Sequence, residues 1–380
     1  MPVPDSTSLL LYADSVRSSD MRYFSGLPVP DPFVALRVKG KKVGIFNALE
    51  FGRALKESSF DEVLPLESLR DQAKKVWPEK TVGIAEVIVL ALKRLKARRC
   101  LVPDDFPAGL FQKLQALGVP ISVASGPVFP EREFKTAKEI RAIEEGNRVA
   151  AAGIAAAEHA LRRSKIKHGS LYLDGSPLTS ERLKFAIETT CLRHGGVSLD
   201  TIAAGGDQAC DPHHRGTGPL RAHELIIVDV FPRVDRTGYH GDMTRTFLKG
   251  KASDAQRKLV DAVRQAQINA LKLIKNGANG RVVHQACVTT FTERGFETRA
   301  TSKGSIGFFH GTGHGLGLAV HELPRVTGTL DYTLKTGAVT TVEPGLYYPG
   351  LGGCRIEDVV VVTQRGSRLL SSAPYDWEIR

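Results

Sequence analysis

A strand–turn–strand segment between residues 225 and 248 carries one aspartate on each of its strands. Asp229 follows the apolar run Leu-Ile-Ile-Val, and Asp242 precedes Met-Thr-Arg-Thr-Phe, with turn-forming residues in between. If the hairpin closes symmetrically about residues 235 and 236, the two aspartates lie directly opposite, with Cβ atoms roughly 5 Å apart. Buried carboxylates at that distance repel each other and lose hydration, so a fold tolerates them only when a cation lies between them.

A second hairpin, nearer the C-terminus, repeats this arrangement with two glutamates. Glu343 and Glu357 are equally distant from Gly350, which lies in the turn-forming sequence Tyr-Pro-Gly-Leu-Gly-Gly. Taken alone, any one of the four carboxylates fits a surface or capping residue. Two pairs that each face one another across a hairpin favour a shared metal site instead.

Three histidines lie among four glycines in the sequence His-Gly-Thr-Gly-His-Gly-Leu-Gly-Leu-Ala-Val-His. Glycine lets the backbone approach a site closely, and imidazole is a good ligand for Mn, Co, Zn or Fe. No strand–turn–helix unit with a later acidic residue surrounds this stretch, so it is not a dinucleotide-binding fingerprint. Five ligands, four of them carboxylates, fit two divalent ions that activate a water and polarise a carbonyl. The candidate metal ligands are Asp229, Asp242, His314, Glu343 and Glu357.

The composition limits the partners and the compartment that we expect. Hydrophobic residues make up 42% of the 380 and charged residues 24%, and no apolar run is long enough to cross a bilayer. The formal charge is +11, but the most basic stretch, 93–99, ends a predicted helix and has no aromatic platform beside it. We therefore expect neither membrane nor nucleic-acid binding. Five scattered cysteines and an N-terminus without a basic region predict a cytoplasmic protein with reduced thiols.

The first 128 residues predict an α/β domain. A hairpin turn is expected at Lys39-Gly40-Lys41-Lys42, and the Pro- and Gly-rich stretch 125–130 indicates a domain boundary. We therefore expect two domains, 1–128 and 129–380. The periodicity of the first domain predicts strands at 34–38, 43–46, 100–102 and 121–124 and helices at 66–76 and 84–96.

The second domain shows one order of elements twice. In each half, a long helix and a shorter helix precede a pair of strands. This repeat predicts a pseudo-symmetric α+β domain with its site at the junction of the two halves. The first half comprises a helix from Ile140 to Leu161, a helix at 179–193 and strands within 225–248; the second comprises a helix from Leu259 to Ile274, a helix from Arg281 and strands within 338–348 and 354–363.

At these residues the chain resembles the pita-bread metallopeptidases, the family of aminopeptidase P, prolidase and methionine aminopeptidase. The resemblance covers about residues 131–380, and the preceding 130 match the N-terminal domain of the aminopeptidase P, prolidase and creatinase branch in size and order. It implies a creatinase-like α/β domain followed by a pseudo-symmetric α+β pita-bread catalytic domain. The matching segments are IIVDVFPRVDRTGYHGDMTRTF, HGTGHGLGLAVHE, VEPGLYY and CRIEDVVVVT.

The resemblance also implies how the five ligands share two ions. Asp229 would bind one metal, and His314 would bind the other together with Glu343. Asp242 and Glu357 would bridge both metals. The cofactors implied are two divalent ions, with Mn first and Co, Zn or Fe as alternatives.

Further roles follow from the same resemblance. Glu343 would be the proton acceptor for the attacking hydroxide, and His321 would hold the substrate or stabilise the tetrahedral oxyanion. His310 and His213 would contact the substrate in the same pocket. Arg355 would orient the carboxylates.

The activity implied is that of a dinuclear-metal exopeptidase that hydrolyses the Xaa-Pro bond, at the N-terminus of peptides or in dipeptides, by attack of a metal-bridging hydroxide. The implied partners are a peptide with proline at the second position and a second copy of the chain, giving a homodimer. Three alternatives are a pita-bread binding protein without peptidase activity, a metal-free amidinohydrolase like creatinase, and a methionine aminopeptidase-like enzyme. The full ligand set argues against the first two, and the N-terminal domain argues against the third.

Overall fold

The computed structural model of the chain describes residues 8–302, 304–373 and 376–380. The chain divides into two compact units, Met1–Pro130 and Glu131–Arg380. Each has its own apolar clusters. No helix in the described ranges is both long and apolar enough to cross a membrane.

In its described residues, the first unit has a six-stranded sheet in the order β4-β3-β2-β1-β5-β6. Its strands are β1 (Ser8–Ala13), β2 (Phe33–Val38), β3 (Lys41–Phe46), β4 (Glu62–Pro65), β5 (Cys100–Val102) and β6 (Ile121–Val123). Its helices are α1 (Ser19–Ser25), α2 (Ala48–Glu57), α3 (Leu66–Val76), α4 (Ile84–Arg94) and α5 (Ala108–Ala116). The predicted α/β plan of this region is confirmed.

The turn between β2 and β3 lies where the sequence predicts it. Val38 pairs with Lys41, so two residues, Lys39 and Gly40, form the turn. Their φ angles are 51° and 81°, and two positive φ values in succession are typical of the two-residue turn that suits the twist of a hairpin.

The helices of the second unit are α6 (Ala137–Arg163), α7 (Ser180–Arg193), α8 (Asp254–Leu273) and α9 (Gly280–Glu293). Its first strands are β7 (Lys165–Lys167), β8 (Ser170–Leu173), β9 (Ser176–Pro177), β10 (Gly196–Val197), β11 (Ile202–Gly205), β12 (Leu225–Val230), β13 (Arg233–Val234) and β14 (Met243–Lys249). Its later strands are β15 (Arg299–Thr301), β16 (Gly304–Ile306), β17 (Gly313–Gly315), β18 (Glu322–Val326), β19 (Val339–Val342), β20 (Gly345–Tyr348), β21 (Gly352–Arg355), β22 (Asp358–Val362), β23 (Ser367–Leu369) and β24 (Glu378–Ile379).

The predicted repeat of element order is present. Helices α6 and α7 share an apolar cluster with the sheet β11-β12-β14-β24. Helices α8 and α9 share another cluster with strands that include β19 and β22, of the sheet β18-β17-β19-β22-β23. Both long helices begin at a capping box, because Thr136 and Ser253 accept backbone N–H groups while Glu139 and Gln256 reach back.

The register of the first hairpin differs from the prediction. Asp229 pairs with Thr244 rather than Asp242, so the turn is centred one residue later than expected. The reason lies in the turn, where Gly238, at φ 78°, donates its N–H to the Val234 carbonyl at 2.7 Å. Asp242 is therefore diagonal to Asp229, on the same face but with a Cβ separation of roughly 7 Å.

The register of the second hairpin is the predicted one. Val342 pairs with Asp358, and Gly345 pairs with Arg355. Glu343 and Glu357 thus face one another in the gap between these two pairs. The ladder is interrupted there because the residue after Glu343 is a proline, which has no N–H to donate.

Candidate metal centre

A cleft of about 750 Å³ in the second unit brings the predicted site residues together. Aromatic and aliphatic side chains, among them Phe231, Phe309 and Val320, form part of its wall. A cleft with apolar walls and a few convergent polar groups is the usual form of a small-molecule site. Its lining includes all of the predicted ligands and substrate contacts: His213, Asp229, Asp242, His310, His314, His321, Glu343, Arg355 and Glu357.

Both halves of the unit supply ligands from strands or from breaks in strands. Asp229 lies on β12, and Asp242 comes directly before β14. His314 is the middle residue of β17. Glu343 occupies the break between β19 and β20, and Glu357 the break between β21 and β22.

Three of the five predicted ligand side chains form a group that could hold one ion. Asp242, His314 and Glu357 each present a ligand atom within 4.8 Å of the others, and all three residues are buried. His314 Nε2 lies 3.7 Å from Asp242 Oδ2 and 3.2 Å from Glu343 Oε1. The imidazole therefore stands between carboxylates from the two hairpins.

Hydroxyl groups connect the ligands to one another. Thr341 accepts the His314 backbone N–H at 3.0 Å and donates to Glu343 Oε1 at 3.1 Å. Thr244, opposite Asp229, donates to Glu357 Oε2 at 2.7 Å. Such contacts restrict the rotamers of metal ligands.

Helix α6 holds the backbone of Asp242 in place. The buried amide of Asn147 accepts the Asp242 N–H at 2.9 Å and donates to the Leu370 carbonyl at 3.1 Å. The helix comes this close because Gly146 and Gly241 face each other, and a Cβ on either would collide with the backbone of the other.

A chain of hydrogen bonds runs along the floor of the cleft. Arg355 Nη2 donates to Asp229 Oδ2 at 2.7 Å, and its Nη1 donates to the Tyr347 hydroxyl at 2.9 Å. His310 Nε2 lies 2.9 Å from the same hydroxyl, and its Nδ1 lies 2.7 Å from the Gly311 carbonyl. Because a carbonyl only accepts, Nδ1 carries the proton and Nε2 accepts from Tyr347. Both ring nitrogens of His310 are thus engaged.

Burial and mutual repulsion change the acidity of the ligands. Burial, together with the neighbouring carboxylates, raises the pKa of Asp242 and of Glu357 well above their usual values. Burial alone would lower the pKa of His314, but its contacts with Glu343 and Asp242 raise it to about 9. The pKa of Glu343 falls to about 2, because the hydrogen bond and charge of His314 outweigh the effect of burial. In the protein alone, a proton therefore takes the place of a cation among these groups.

The residues present fit a divalent metal centre. Asp229 Oδ1 is buried and has no hydrogen-bond partner among the described residues, which is costly unless something else binds it. Asp242 and Glu357 are buried beside other carboxylates, whose repulsion raises their pKa values, and a cation between them would offset that repulsion. Carboxylate oxygens with one imidazole are a donor set suited to divalent transition ions.

The two remaining histidines lie at the wall of the cleft. The ring of His321 packs edge-on against that of His314, with centroids 4.3 Å apart. His321 is exposed, but partial desolvation of its ring, with the charge of His314, lowers its pKa to about 4. His213 is exposed on the loop after Cys210. Its neighbour His214 instead accepts a hydrogen bond from Gly216 N–H, within its own loop.

Sequence reasoning missed Thr244, Tyr347 and Asn147. The first two had a usable signal: Thr244 lies two residues from Asp242 and Tyr347 four from Glu343, and residues an even number apart on a strand share a face. Asn147 had none, because its contact with Asp242 spans 95 positions and depends on how closely a helix packs on a hairpin.

A family comparison agrees with the geometry of the cleft. The model of metallopeptidase family M24 matches residues 141–364, which is more than half of the chain and includes every predicted ligand. The chain belongs to metallopeptidase family M24. The predicted family is thus confirmed, and divalent metals are the cofactors of an M24 metallopeptidase.

Similar proteins agree with this assignment. The M24 chain is 33% identical to the Xaa-Pro dipeptidase of Pyrococcus furiosus over 175 residues, which are 46% of this chain and 47% of that one. The match thus spans about half the length of this relative. Among solved structures, the Xaa-Pro dipeptidase of Bacillus anthracis has a TM-score of 0.82 and 25% identity over 98% of this chain and 95% of its own. The X-Pro aminopeptidase of Thermotoga maritima has a TM-score of 0.81 and 23% identity, covering 98% and 97%. The predicted pita-bread fold class is therefore confirmed.

Proposed function

We propose that the protein is a dinuclear-metal exopeptidase that hydrolyses the bond between a first residue and a following proline, in dipeptides or at the N-terminus of longer peptides. The observation that carries this proposal is the convergence of four carboxylates and one imidazole in a single cleft of an M24 metallopeptidase. The choice of an Xaa-Pro substrate is supported by the likeness to the two Xaa-Pro dipeptidases.

The ligands we propose are Asp229, Asp242, His314, Glu343 and Glu357. Two divalent cations bound there supply an acidified water and polarise the scissile carbonyl. Mn²⁺ is our proposal for the native ion, because four of the five ligands are carboxylates; Co²⁺, Zn²⁺ and Fe²⁺ accept the same donors.

The side chains of the cleft have separate tasks in this proposal. Glu343 accepts a proton from the attacking water and delivers it to the proline nitrogen as the carbon–nitrogen bond breaks. His321 stands at the wall where it can donate to the carbonyl oxygen as negative charge develops. Arg355 holds Asp229 in place, and the ring of His310 contacts the substrate, with His213 at the rim.

The assembly and location are further parts of the proposal. We propose a homodimer, which the resemblance to the aminopeptidase P and prolidase branch supports. A cytoplasmic location is supported by the five cysteines, all of which are free thiols. We also propose that residues 1–128 and 129–380 act as the creatinase-like and catalytic domains.

Hydrolysis of three peptides tests the proposal. The protein is stripped with a chelator, reloaded with Mn²⁺ or Co²⁺, and incubated with Ala-Pro, Ala-Pro-Pro and Met-Ala. Cleavage of Ala-Pro alone means a dipeptidase, and cleavage of Ala-Pro-Pro means an aminopeptidase. The stripped protein without added metal is the control and should be inactive.

Two other results would overturn parts of the proposal. Cleavage of Met-Ala alone would discard the proline specificity in favour of a methionine aminopeptidase-like enzyme. Failure to take up metal would favour a binding protein without peptidase activity.

A further inference from the structure

Glu322, the residue directly after His321, is held by two cations from a single segment. Its Oε1 lies 2.5 Å from Lys135 Nζ, and its Oε2 lies 2.6 Å from Arg132 Nη2. The Lys135 side chain is only 1% exposed and that of Glu322 is 12% exposed. Lys135 Nζ also donates to the Arg132 carbonyl at 2.5 Å. This is a buried, multiply bonded ion cluster rather than a surface salt bridge.

The segment that carries the two cations is itself firmly attached to the second unit. Lys135 donates its backbone N–H to the Gly337 carbonyl at 2.8 Å, and Phe134 forms a β-bridge with Ala338. Tyr332 donates to the Glu133 carboxylate at 2.6 Å. The cations are therefore presented from a segment with little freedom to follow Glu322 if it moved.

The loop between β17 and β18, which carries His321, is shaped around the same carboxylate. A Cβ on Gly317 would collide with Glu322 Oε1, so this glycine leaves the space that the carboxylate occupies. The Gly317 carbonyl accepts the His240 N–H at 2.8 Å. The loop is thus held at Glu322 by charge and at Gly317 by the hairpin that carries Asp242.

We propose that Glu322 is a positioning residue that acts through His321: the ion cluster with Lys135 and Arg132 fixes the loop so that the imidazole points into the cleft beside His314. This inference rests on the proposed peptidase function. It assigns to Glu322 no contact with substrate or metal. Its basis is that the residue next to His321 is anchored from outside the cleft, by side chains that line no part of it.

The expected consequence is a loss of turnover without a loss of metal. A displacement of a catalytic group by about 1 Å can lower the rate about 100-fold. Glu322→Gln keeps the shape of the side chain but removes its charge, leaving Lys135 buried without its counterion. For whichever of Ala-Pro and Ala-Pro-Pro the parent cleaves faster, we expect kcat to fall at least tenfold. KM should stay within about twofold of the parent value, and the amount of bound metal should not change.

Glu378→Gln is the matched control. Glu378 is also partly buried and pairs with an arginine, Arg257, at 2.9 Å, but it lies on β24, away from the cleft lining. It should leave both kcat and KM near the parent values. An equal loss in both variants would overturn the proposal, because it would reflect general destabilisation.

The decisive comparison uses a background without the imidazole. If Glu322 acts through His321, then Glu322→Gln in the His321→Ala protein should lower kcat by less than twofold further, because the group that it positions is gone. Losses that multiply in the double variant would show that Glu322 works independently of His321, and would overturn the proposal.

A measurement without substrate separates this inference from the proposed function. Hydrogen exchange of the backbone amides in residues 316–322 should be faster in Glu322→Gln than in the parent or in Glu378→Gln, in protein with or without metal. If the enzyme cleaves no proline peptide but this exchange difference is present, the proposed function fails and the anchoring of the loop stands. Unchanged exchange would overturn the inference whatever the activity.

Discussion

Arg355 of the second hairpin binds Asp229 of the first, with Nη2 2.7 Å from Oδ2. Both side chains are buried, and the same guanidinium donates to the buried hydroxyl of Tyr347. The two hairpins come from opposite halves of the pseudo-symmetric unit, so this ion pair connects the halves at the candidate metal centre. Among the described residues, the other oxygen of Asp229, Oδ1, has no hydrogen-bond partner, and it is the oxygen that we propose for a metal.

The first prediction follows from this ion pair. Arg355→Met should weaken the binding of divalent metal about 10- to 100-fold, because groups that orient a metal ligand typically contribute that much affinity. Isothermal titration of the chelator-stripped protein with Mn²⁺ measures the change. Arg368→Met is the control, since Arg368 forms an exposed ion pair with Glu144. Equal Mn²⁺ affinities in the two variants would contradict the prediction.

A second prediction concerns the amide that holds the Asp242 backbone. Asn147→Ala leaves the buried N–H of Asp242 without its acceptor, so the free energy of unfolding should fall by about 1–3 kcal/mol. Chemical denaturation of metal-free protein measures this change. Asn269→Ala is the matched control, because that half-buried asparagine bonds Gln265 within α8 and Thr290 of α9. Mn²⁺ affinity should fall in the first variant and not in the second; affinities that stay equal would mean that Asn147 has no influence on Asp242.

The sequence predicts which residues line the cleft better than it predicts their relative positions. The second hairpin has its expected register because Gly350 lies midway between the glutamates and the turn has little room for alternatives. The first hairpin does not, because Gly238 moves the centre of a longer turn by one residue. The register changed, yet Asp229 and Asp242 stayed on one face, since antiparallel partners shift in steps of two when the turn moves by one.

Side chains that support the site from other elements were out of reach of sequence reasoning. Lys135 meets Glu322 across 187 positions and Asn147 meets Asp242 across 95. No periodicity within one strand or helix encodes such distances. They depend on how the elements of the unit pack, which a single sequence does not reveal.

A third prediction concerns stability and pH. The pKa of His314 is raised to about 9, and burial raises those of Asp242 and Glu357. A group whose pKa is higher in the folded state stabilises that state. The contribution is complete at a pH below the pKa in the unfolded state, about 6.5 for histidine, and is lost as the pH rises through the pKa in the folded state. The lowered pKa of Glu343 changes the stability only at acidic pH, so it does not offset the loss of stability at higher pH. Metal-free protein should therefore lose stability between pH 6.5 and 9.

The loaded protein should not lose this stability, because bound cations replace the protons. The difference in melting temperature between Mn²⁺-loaded and stripped protein should therefore grow as the pH rises from 6.5 to 9. Differential scanning fluorimetry across this range measures it, with Glu378→Gln as a control that retains the effect. A difference that is constant or shrinks with pH would contradict the assignment of protons to these ligands.

A fourth prediction tests the proton acceptor. Glu343→Gln keeps the size of the side chain and one oxygen but cannot take a proton from water. Turnover of Ala-Pro or Ala-Pro-Pro should fall by at least about 100-fold, which is the usual contribution of a general base. Metal content must be measured on the same sample, because Glu343 is also a proposed ligand. Near-parent activity with two metals bound would rule out the proposed proton path.

A fifth prediction distinguishes the two substrate lengths. Arg325 lies on β18, its side chain is exposed, and it forms part of the cleft wall near His321. A dipeptide has its terminal carboxylate one residue closer to the scissile bond than a tripeptide, which is a difference of roughly 3.5 Å. If Arg325 pairs with that carboxylate, Arg325→Ala should raise KM for Ala-Pro about 10- to 100-fold, the contribution of a hydrogen bond to a charged group. KM for Ala-Pro-Pro should change much less.

Arg215→Ala is the control for this experiment. Arg215 also lines the cleft, but its guanidinium donates to the Leu199 carbonyl at 2.6 Å and lies 3.3 Å from Asp200, so it is already committed to its own loop. Steady-state kinetics give KM of both variants for both peptides and so test whether Arg325 pairs with the dipeptide carboxylate. Equal changes for the two substrates would mean that Arg325 contributes only general positive charge to the cleft. A selective loss with the tripeptide would instead place the carboxylate of the longer peptide at Arg325, and would favour an aminopeptidase.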